Sequence, residues 1–296
     1  MPRNWYAACT WGGAMLKLER ILFPVDFTPH CRTLAPMVAA WARRFHSRVT
    51  LLHASDLPAG AYADWYSFLN LMDVNAYHEH ARKQLRAFLP AVFKGVEVDR
   101  VLVDAAAGPA IVEHARKMRP SLIMMPTRGM SRFRSLLLGS VTTYVLHDSE
   151  YPVWTEAHLE APSEVLSESR EVLPADCRSI VCGVDFGSAT EPALRMATGL
   201  AQAFGAPVHV VHVTGDSEMS RNEAGERFQE TAEKVNLASK LELLSGDVPM
   251  ALATAVQAHG ADLLVIGRGK VQGTIGRLRN QAHSIIRTSP CPVVSV

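Results

Sequence analysis

The chain repeats itself, and no other feature narrows its fold as much. The run "ILFPVDF" at 21–27 returns as "IVCGVDF" at 180–186, and "RVTLLHASD" at 48–56 returns as "PVHVVHVTG" at 207–215, both displaced by 159 positions. Farther on, "SLIMMPTRG" from 121 pairs with "DLLVIGRGK" from 262, and "YPVW" from 151 with "CPVV" from 291, displacements of 141 and 140. Two matched segments at one displacement mark two copies of one domain. The later drop in displacement gives the first copy about eighteen additional residues, which fall near "AYADWYSFLNLMDVNAYHEH". Between the copies, "EAHLEAPSEVLSESREVLPADCR" is rich in Glu, Ser and Pro, a composition that suits an exposed linker. The expected layout is an extension at 1–16, a first domain at 17–157, a linker at 158–177 and a second domain at 178–296.

Each copy alternates short β-branched runs with longer amphipathic ones. In the first copy, strands are expected near 21–26, 48–54, 96–103, 121–126 and 152–155, with helices between them. Continuous apolar strands separated by helices give a parallel sheet covered on both faces, because right-handed crossovers place the helices there. The fold class is therefore α/β: two repeated doubly wound domains, each a five-stranded parallel sheet flanked by helices. Ligands of such sheets sit beyond the carboxyl ends of the strands, where the winding reverses. Asp26 ends the first strand and Gly129 follows the fourth, so both line one crevice if those strands are neighbours.

Composition limits what that crevice serves. With 296 residues, a net charge of +1, 48% hydrophobic and 20% charged residues, the chain reads as an ordinary soluble protein with no electrostatic sign of a nucleic-acid partner. No run of eighteen apolar residues occurs, so no membrane partner is expected. The opening "MPRNWYAACTWGGAML" makes a poor signal peptide, and the five scattered cysteines suit reduced thiols; a cytoplasmic location is expected.

The stretch from Gly129 to Ser140 carries the candidate chemistry. A helix starting near Gly139 would offer unpaired N–H groups and the positive end of its dipole to a phosphate, with the Ser140 hydroxyl beside them. Arg128, Arg132 and Arg134 would supply fork-shaped donors. The residues alone allow a second reading, a plain loop with glycine for turning and serine as the helix cap.

Together, the repeat, the "PVDF" and "GVDF" strand ends, and Gly129 and Gly139 with Ser140 ahead of "YPVW" resemble the universal stress protein family in its tandem two-domain form. The resemblance covers nearly the whole chain after residue 17. It implies ATP, with or without Mg2+, held in the first domain, glycines and hydroxyl around the phosphates and the strand-one aspartate near the adenosine. The expected nucleotide-binding residues are Asp26, Pro126, Arg128, Gly129, Arg132, Gly139, Ser140 and Val141. Pro126 departs from the family pattern, standing where the first glycine belongs and removing one N–H. The resemblance further implies an internal pseudo-dimer, the terminal strands "YPVW" and "CPVV" covering each other's edges, and leaves association into homo-oligomers open.

The second copy departs further. It keeps Gly267 but has Lys270 at the second glycine position, and "RLRNQAHS" replaces the Gly-Ser pair. Its Arg268, Lys270, Arg277 and Arg279 read as a solvated basic loop or a weak anion attractor. "GRGKVQG" has one residue too many for a dinucleotide fingerprint, and no P-loop or G-x-S-x-G elbow occurs. His53 and His212 sit at matching strand ends, where a hydrogen-bonded edge histidine is the simpler reading than a contact to a base. His78 and His80 point to different helix faces, which suits surface residues better than metal ligands. The inserted "YADWYSFLNLM" reads as a lid, a subunit contact or aromatic packing. The expected function is an adenine-nucleotide-binding stress-response sensor or regulator; the alternatives are a nucleotide-free scaffold and a slow ATPase with Asp26 as its sole evident metal carboxylate.

Overall fold

The computed structural model describes residues 16–55, 74–127, 138–156, 176–214, 221–268 and 277–296. The inserted "YADWYSFLNLM" and most of the linker lie outside them. The first copy runs β1 (Arg20–Pro24), α1 (Pro29–Phe45), β2 (Arg48–Ala54), α2 (Val74–Ala87), β3 (Val98–Val103), α3 (Ala107–Met118), β4 (Leu122–Met125), α4 (Ser140–Asp148) and β5 (Val153–Thr155). The second copy follows in the same order: β6 (Ile180–Val184), α5 (Thr190–Phe204), β7 (Val208–Thr214), α6 (Arg221–Lys234), β8 (Leu241–Ser245), α7 (Val248–Ala258), β9 (Leu263–Ile266), α8 (Arg277–Thr288) and β10 (Val293–Ser295). Nineteen residues separate Ala54 from Val74 against six between Thr214 and Arg221, so most of the extra length of the first copy falls between β2 and α2.

The strands form one sheet in the order β3-β2-β1-β4-β5-β10-β9-β6-β7-β8. Within each half every pairing is parallel, and the two halves have the same order, read from opposite ends. The halves meet where β5 pairs antiparallel with β10, Val153 opposite Ser295, Trp154 opposite Val294 and Thr155 opposite Val293. This join covers one edge of each half, β5 and β10, and leaves β3 and β8 as the outer edges of the sheet.

Alternation along the strands splits the core in two. Ile21 and Phe23 of β1 face a cluster with Leu34 and Trp41 of α1, Leu85 of α2 and Leu194 of α5. Leu22 between them faces Ile111 of α3, Val145 of α4, Leu252 of α7 and Ile285 of α8. Strands buried on both faces therefore need the uninterrupted apolar runs seen in the sequence. The start of α1 is fixed by Thr28, whose side chain accepts a hydrogen bond from the Cys31 N–H, with proline in the first turn, where no N–H is needed.

The join has local two-fold character on one face. Phe45 and Phe204, one repeat apart, meet edge to face with ring centroids 5.8 Å apart, and Trp41 lies 5.4 Å from Phe204. Arg44 stacks 4.4 Å above the Phe204 ring and donates from Nε to the Ala203 carbonyl at 3.2 Å. Equivalent residues touching one another are the mark of an isologous contact, here built into a single chain.

Candidate functional site

The switch point of the first copy lies between β1 and β4, which pair directly, Ile21 opposite Leu122 and Leu22 opposite Ile123. Asp26 stands two residues beyond β1 and Pro126 follows β4 immediately, so both occupy the carboxyl ends of adjacent strands. Asp26 is not the end of the strand, as expected from sequence, but the organiser of the turn after it. Its Oδ1 accepts from the Thr28 N–H at 3.0 Å and from the Thr28 hydroxyl at 2.6 Å. Between them Phe27 adopts φ 63, a left-handed conformation unusual for an aromatic residue, which brings its ring 4.3 Å from that of His53.

The second copy builds the same turn. Asp185 Oδ1 accepts from the Gly187 N–H at 2.8 Å and the Thr190 hydroxyl at 3.2 Å, while Phe186 sits at φ 56, its ring 4.7 Å from His212. His53 donates from Nδ1 to the Val25 carbonyl at 2.7 Å, and His212 does the same to Val184 at 2.8 Å. A carbonyl can only accept, so the proton is on Nδ1 in both. The hydrogen-bonded edge reading of these histidines holds.

The start of α4 is where the two sequence readings part. Gly139 is the cap residue, at φ −59 and ψ 147, and supplies no side-chain cap; Ser140 is already the first residue of the helix. Serine therefore does not act as the cap, and the turn does not require glycine, since any residue adopts that conformation. The Gly139 N–H donates to the Thr127 carbonyl at 2.9 Å, and the Thr142 hydroxyl to the Pro126 carbonyl at 3.0 Å. These two bonds fasten the helix to the end of β4. They leave the N–H groups of Ser140, Val141 and Thr142 with no acceptor inside the helix, at the positive end of its dipole. Pro126 adds no donor of its own. Arg128, Gly129, Arg132 and Arg134 lie outside the described residues.

The two residues that follow β9 in the second copy, Gly267 and Arg268, are held by other contacts. A Cβ on Gly267 would lie 2.6 Å from the Ala189 Cβ and 3.1 Å from the Ala189 carbonyl oxygen, so this glycine is needed for the close approach of β9 to the start of α5. Arg268 departs from the expectation of a solvated basic loop, while Lys270 and the side chains of Arg277 and Arg279 lie outside the described residues. Arg268 is half-buried, with Nη1 donating to the Leu146 carbonyl at 3.0 Å and Nη2 to that of Tyr151, both in the first copy. Nε is out of contact with solvent and has no partner. Burial pulls its pKa down to about 10, which still leaves it charged at neutral pH. Sequence reading missed this anchor; its partners are backbone carbonyls, which carry no sequence signal.

Cys31, Cys177, Cys182 and Cys291 are all buried, and burial pushes their thiols up, Cys177 to about 12 and Cys291 to about 11. Buried thiols held this high suit packing better than nucleophilic chemistry. Among the described residues no three His, Cys, Asp or Glu side chains cluster as metal ligands, and no helix is long and apolar enough to cross a membrane. His78, read from sequence as a surface residue, lies 3.5 Å from Asp104.

A doubly wound sheet with an uncapped helix start at its switch point defines a Rossmann-like α/β class, here present twice. The universal stress protein family matches residues 17–155 and 177–296, and the chain belongs to that family. Among solved structures, it is similar to a universal stress protein from Archaeoglobus fulgidus at 20% identity and a TM-score of 0.67, covering 94% of this chain and 96% of that one. A putative universal stress protein from Pseudomonas aeruginosa matches at 17% identity and a TM-score of 0.58, covering 94% and 93%. A functionally unknown protein from the same species matches at 16% identity and 0.60, covering 94% and 92%. No curated protein sequence matches the chain.

Proposed function

We propose that the chain binds one adenine nucleotide, ATP with or without Mg2+, in its first domain, and acts as a stress-response sensor or regulator. The second domain serves as a built-in partner. One observation carries the reading: at the uncapped start of α4, beside the β1–β4 switch point, the sequence has glycine in a backbone conformation that does not need it. A glycine with no backbone reason for it suits space for a ligand. In this reading Ser140 and Val141 offer N–H groups to phosphate, Arg128 and Arg132 add charge, Gly129 gives close approach, Pro126 contributes only its position, and Asp26 faces the adenosine. Some members of the family bind nucleotides, one having been solved in complex with cAMP.

Titration calorimetry with ATP should give a stoichiometry near one. Gly139→Val should fold normally, since φ −59 suits valine, and should lose binding because its side chain fills phosphate space. Unchanged affinity in that variant refutes the site.

The rival reading is a nucleotide-free scaffold. It is favoured by the β5–β10 ladder, which needs no ligand to join the domains, and by Pro126, which lacks a donor. Acid extraction of the purified protein separates the two, a scaffold releasing no adenine-absorbing material.

A further inference from the structure

The antiparallel β5–β10 join turns the carboxyl ends of the parallel strands of the two halves toward opposite edges of the sheet. Helix α4 begins past the carboxyl end of β4 and runs back across the sheet. At nine residues it is about 13.5 Å long. Its carboxyl end therefore reaches the edge at which β9 of the other half terminates, and Arg268 stands two residues beyond β9. Leu146, whose carbonyl accepts from Nη1, lies in the last turn of α4, among the carbonyls with no partner inside the helix. The guanidinium is thus a cationic cap for the negative end of α4, delivered from the second domain. Among the described residues no side-chain carboxylate pairs with the guanidinium, and its acceptors are the Leu146 and Tyr151 carbonyls, while its backbone N–H donates to Val296 at 2.7 Å. The matching position of the first copy is Thr127, which bears no cation, so among the described residues this clamp runs from the second domain to the ligand helix of the first.

We propose that Arg268 is a positioning residue for the first-domain anion site, holding α4 as a rod between the two crevices so that affinity at its amino end depends on the clamp at its carboxyl end. This rests on the reading of Gly139–Val141 as that site. It gives the second domain a task that survives the loss of its own phosphate loop.

The test uses the full chain with Arg268→Met, which keeps bulk and removes every donor, and Arg268→Lys, which keeps the charge without the fork. With circular dichroism confirming a folded protein, ATP affinity by calorimetry should fall at least about tenfold in Arg268→Met and less in Arg268→Lys. Hydrogen exchange without ligand should accelerate at 140–148 but not in β1 or β4. Wild-type affinity in Arg268→Met overturns the inference, and if that variant does not fold, Arg268→Lys decides by the same criteria. Should the wild type bind no ATP, the nucleotide reading fails by itself. Exchange then decides: acceleration confined to α4 sustains the clamp, and unchanged exchange overturns it.

Discussion

Trp154 of β5 lies directly opposite Val294 of β10, and the two residues occupy the same position of the two repeats. The local two-fold axis therefore passes through the centre of the ladder, and Trp154, among the described residues the bulkiest fully buried side chain, sits on it. Trp154 is 1% exposed and belongs to the same cluster as Val294, Trp41 and Phe23. Trp154→Ala should cost about 3–5 kcal/mol. Urea denaturation followed by circular dichroism measures it, and a loss below about 1 kcal/mol would remove the ladder from the centre of the fold's stability.

Gly267→Ala should destabilise the chain by about 1–3 kcal/mol, because the new methyl meets both the side chain and the backbone of Ala189. Ala189→Gly in the same chain removes the nearer contact, so the double variant should recover part of the loss. Thermal melting of the two single variants and the double one reads this directly. Additive losses would mean that the two residues do not touch.

Acidification should weaken the fold through His209. Its ring stacks on that of His259 with centroids 3.9 Å apart, and His259 Nε2 lies 2.7 Å from Glu242 Oε2. Burial first, and His259 second, lower the His209 pKa below the ordinary 6.5, against a smaller opposing pull from Glu242. The unfolded chain then takes up the proton at higher pH than the folded one. The contribution is present above about 6.5 and is lost as pH falls through that value. His114 and His283, lowered mainly by burial, act in the same sense. The melting temperature should drop between about pH 7.5 and about pH 5.5, and His209→Gln should flatten that drop. An equally steep profile in the variant would assign the effect elsewhere.

ATP should act by stabilising the folded state. At one hundred times its dissociation constant, a ligand that binds only the folded chain adds about 2.7 kcal/mol. Differential scanning calorimetry at rising ATP should show the melting temperature climbing with the logarithm of concentration. No shift at millimolar ATP, while the protein stays folded, would favour the scaffold.

The sheet was legible in the sequence because buried strands must be apolar throughout. The runs expected at 48–54, 121–126 and 152–155 appear as Arg48–Ala54, Leu122–Met125 and Val153–Thr155. The first strand ends at Pro24 instead of 26, since the Asp26 carboxylate competes for the backbone and turns it. At the site, the helix start near Gly139 was readable from Gly-Ser ahead of an apolar run, but not which residue would cap it. That depends on φ and ψ, which the Thr127 and Pro126 carbonyls fix from outside the helix. Arg268 looked like one more charge in a basic loop. Nothing local distinguishes a guanidinium in water from one that spans two domains to reach backbone oxygens.

The antiparallel seam also decides how the chain is leashed. Because β5 opposes β10 while β6, β9 and β10 run parallel, β5 ends on the edge where β6 begins, three strands away. That gap is about 14 Å. Twenty-four residues lie between Thr155 and Ile180, enough to stretch about 80 Å. The connection is several times longer than the gap, so its length alone dictates no partner: one molecule's β10 fits the β5 of another as well as its own. What favours a chain's own half over another chain's is local concentration, about millimolar for a short tether. Trading of halves between chains is therefore disfavoured by mass action and not by shape, and it should grow with protein concentration.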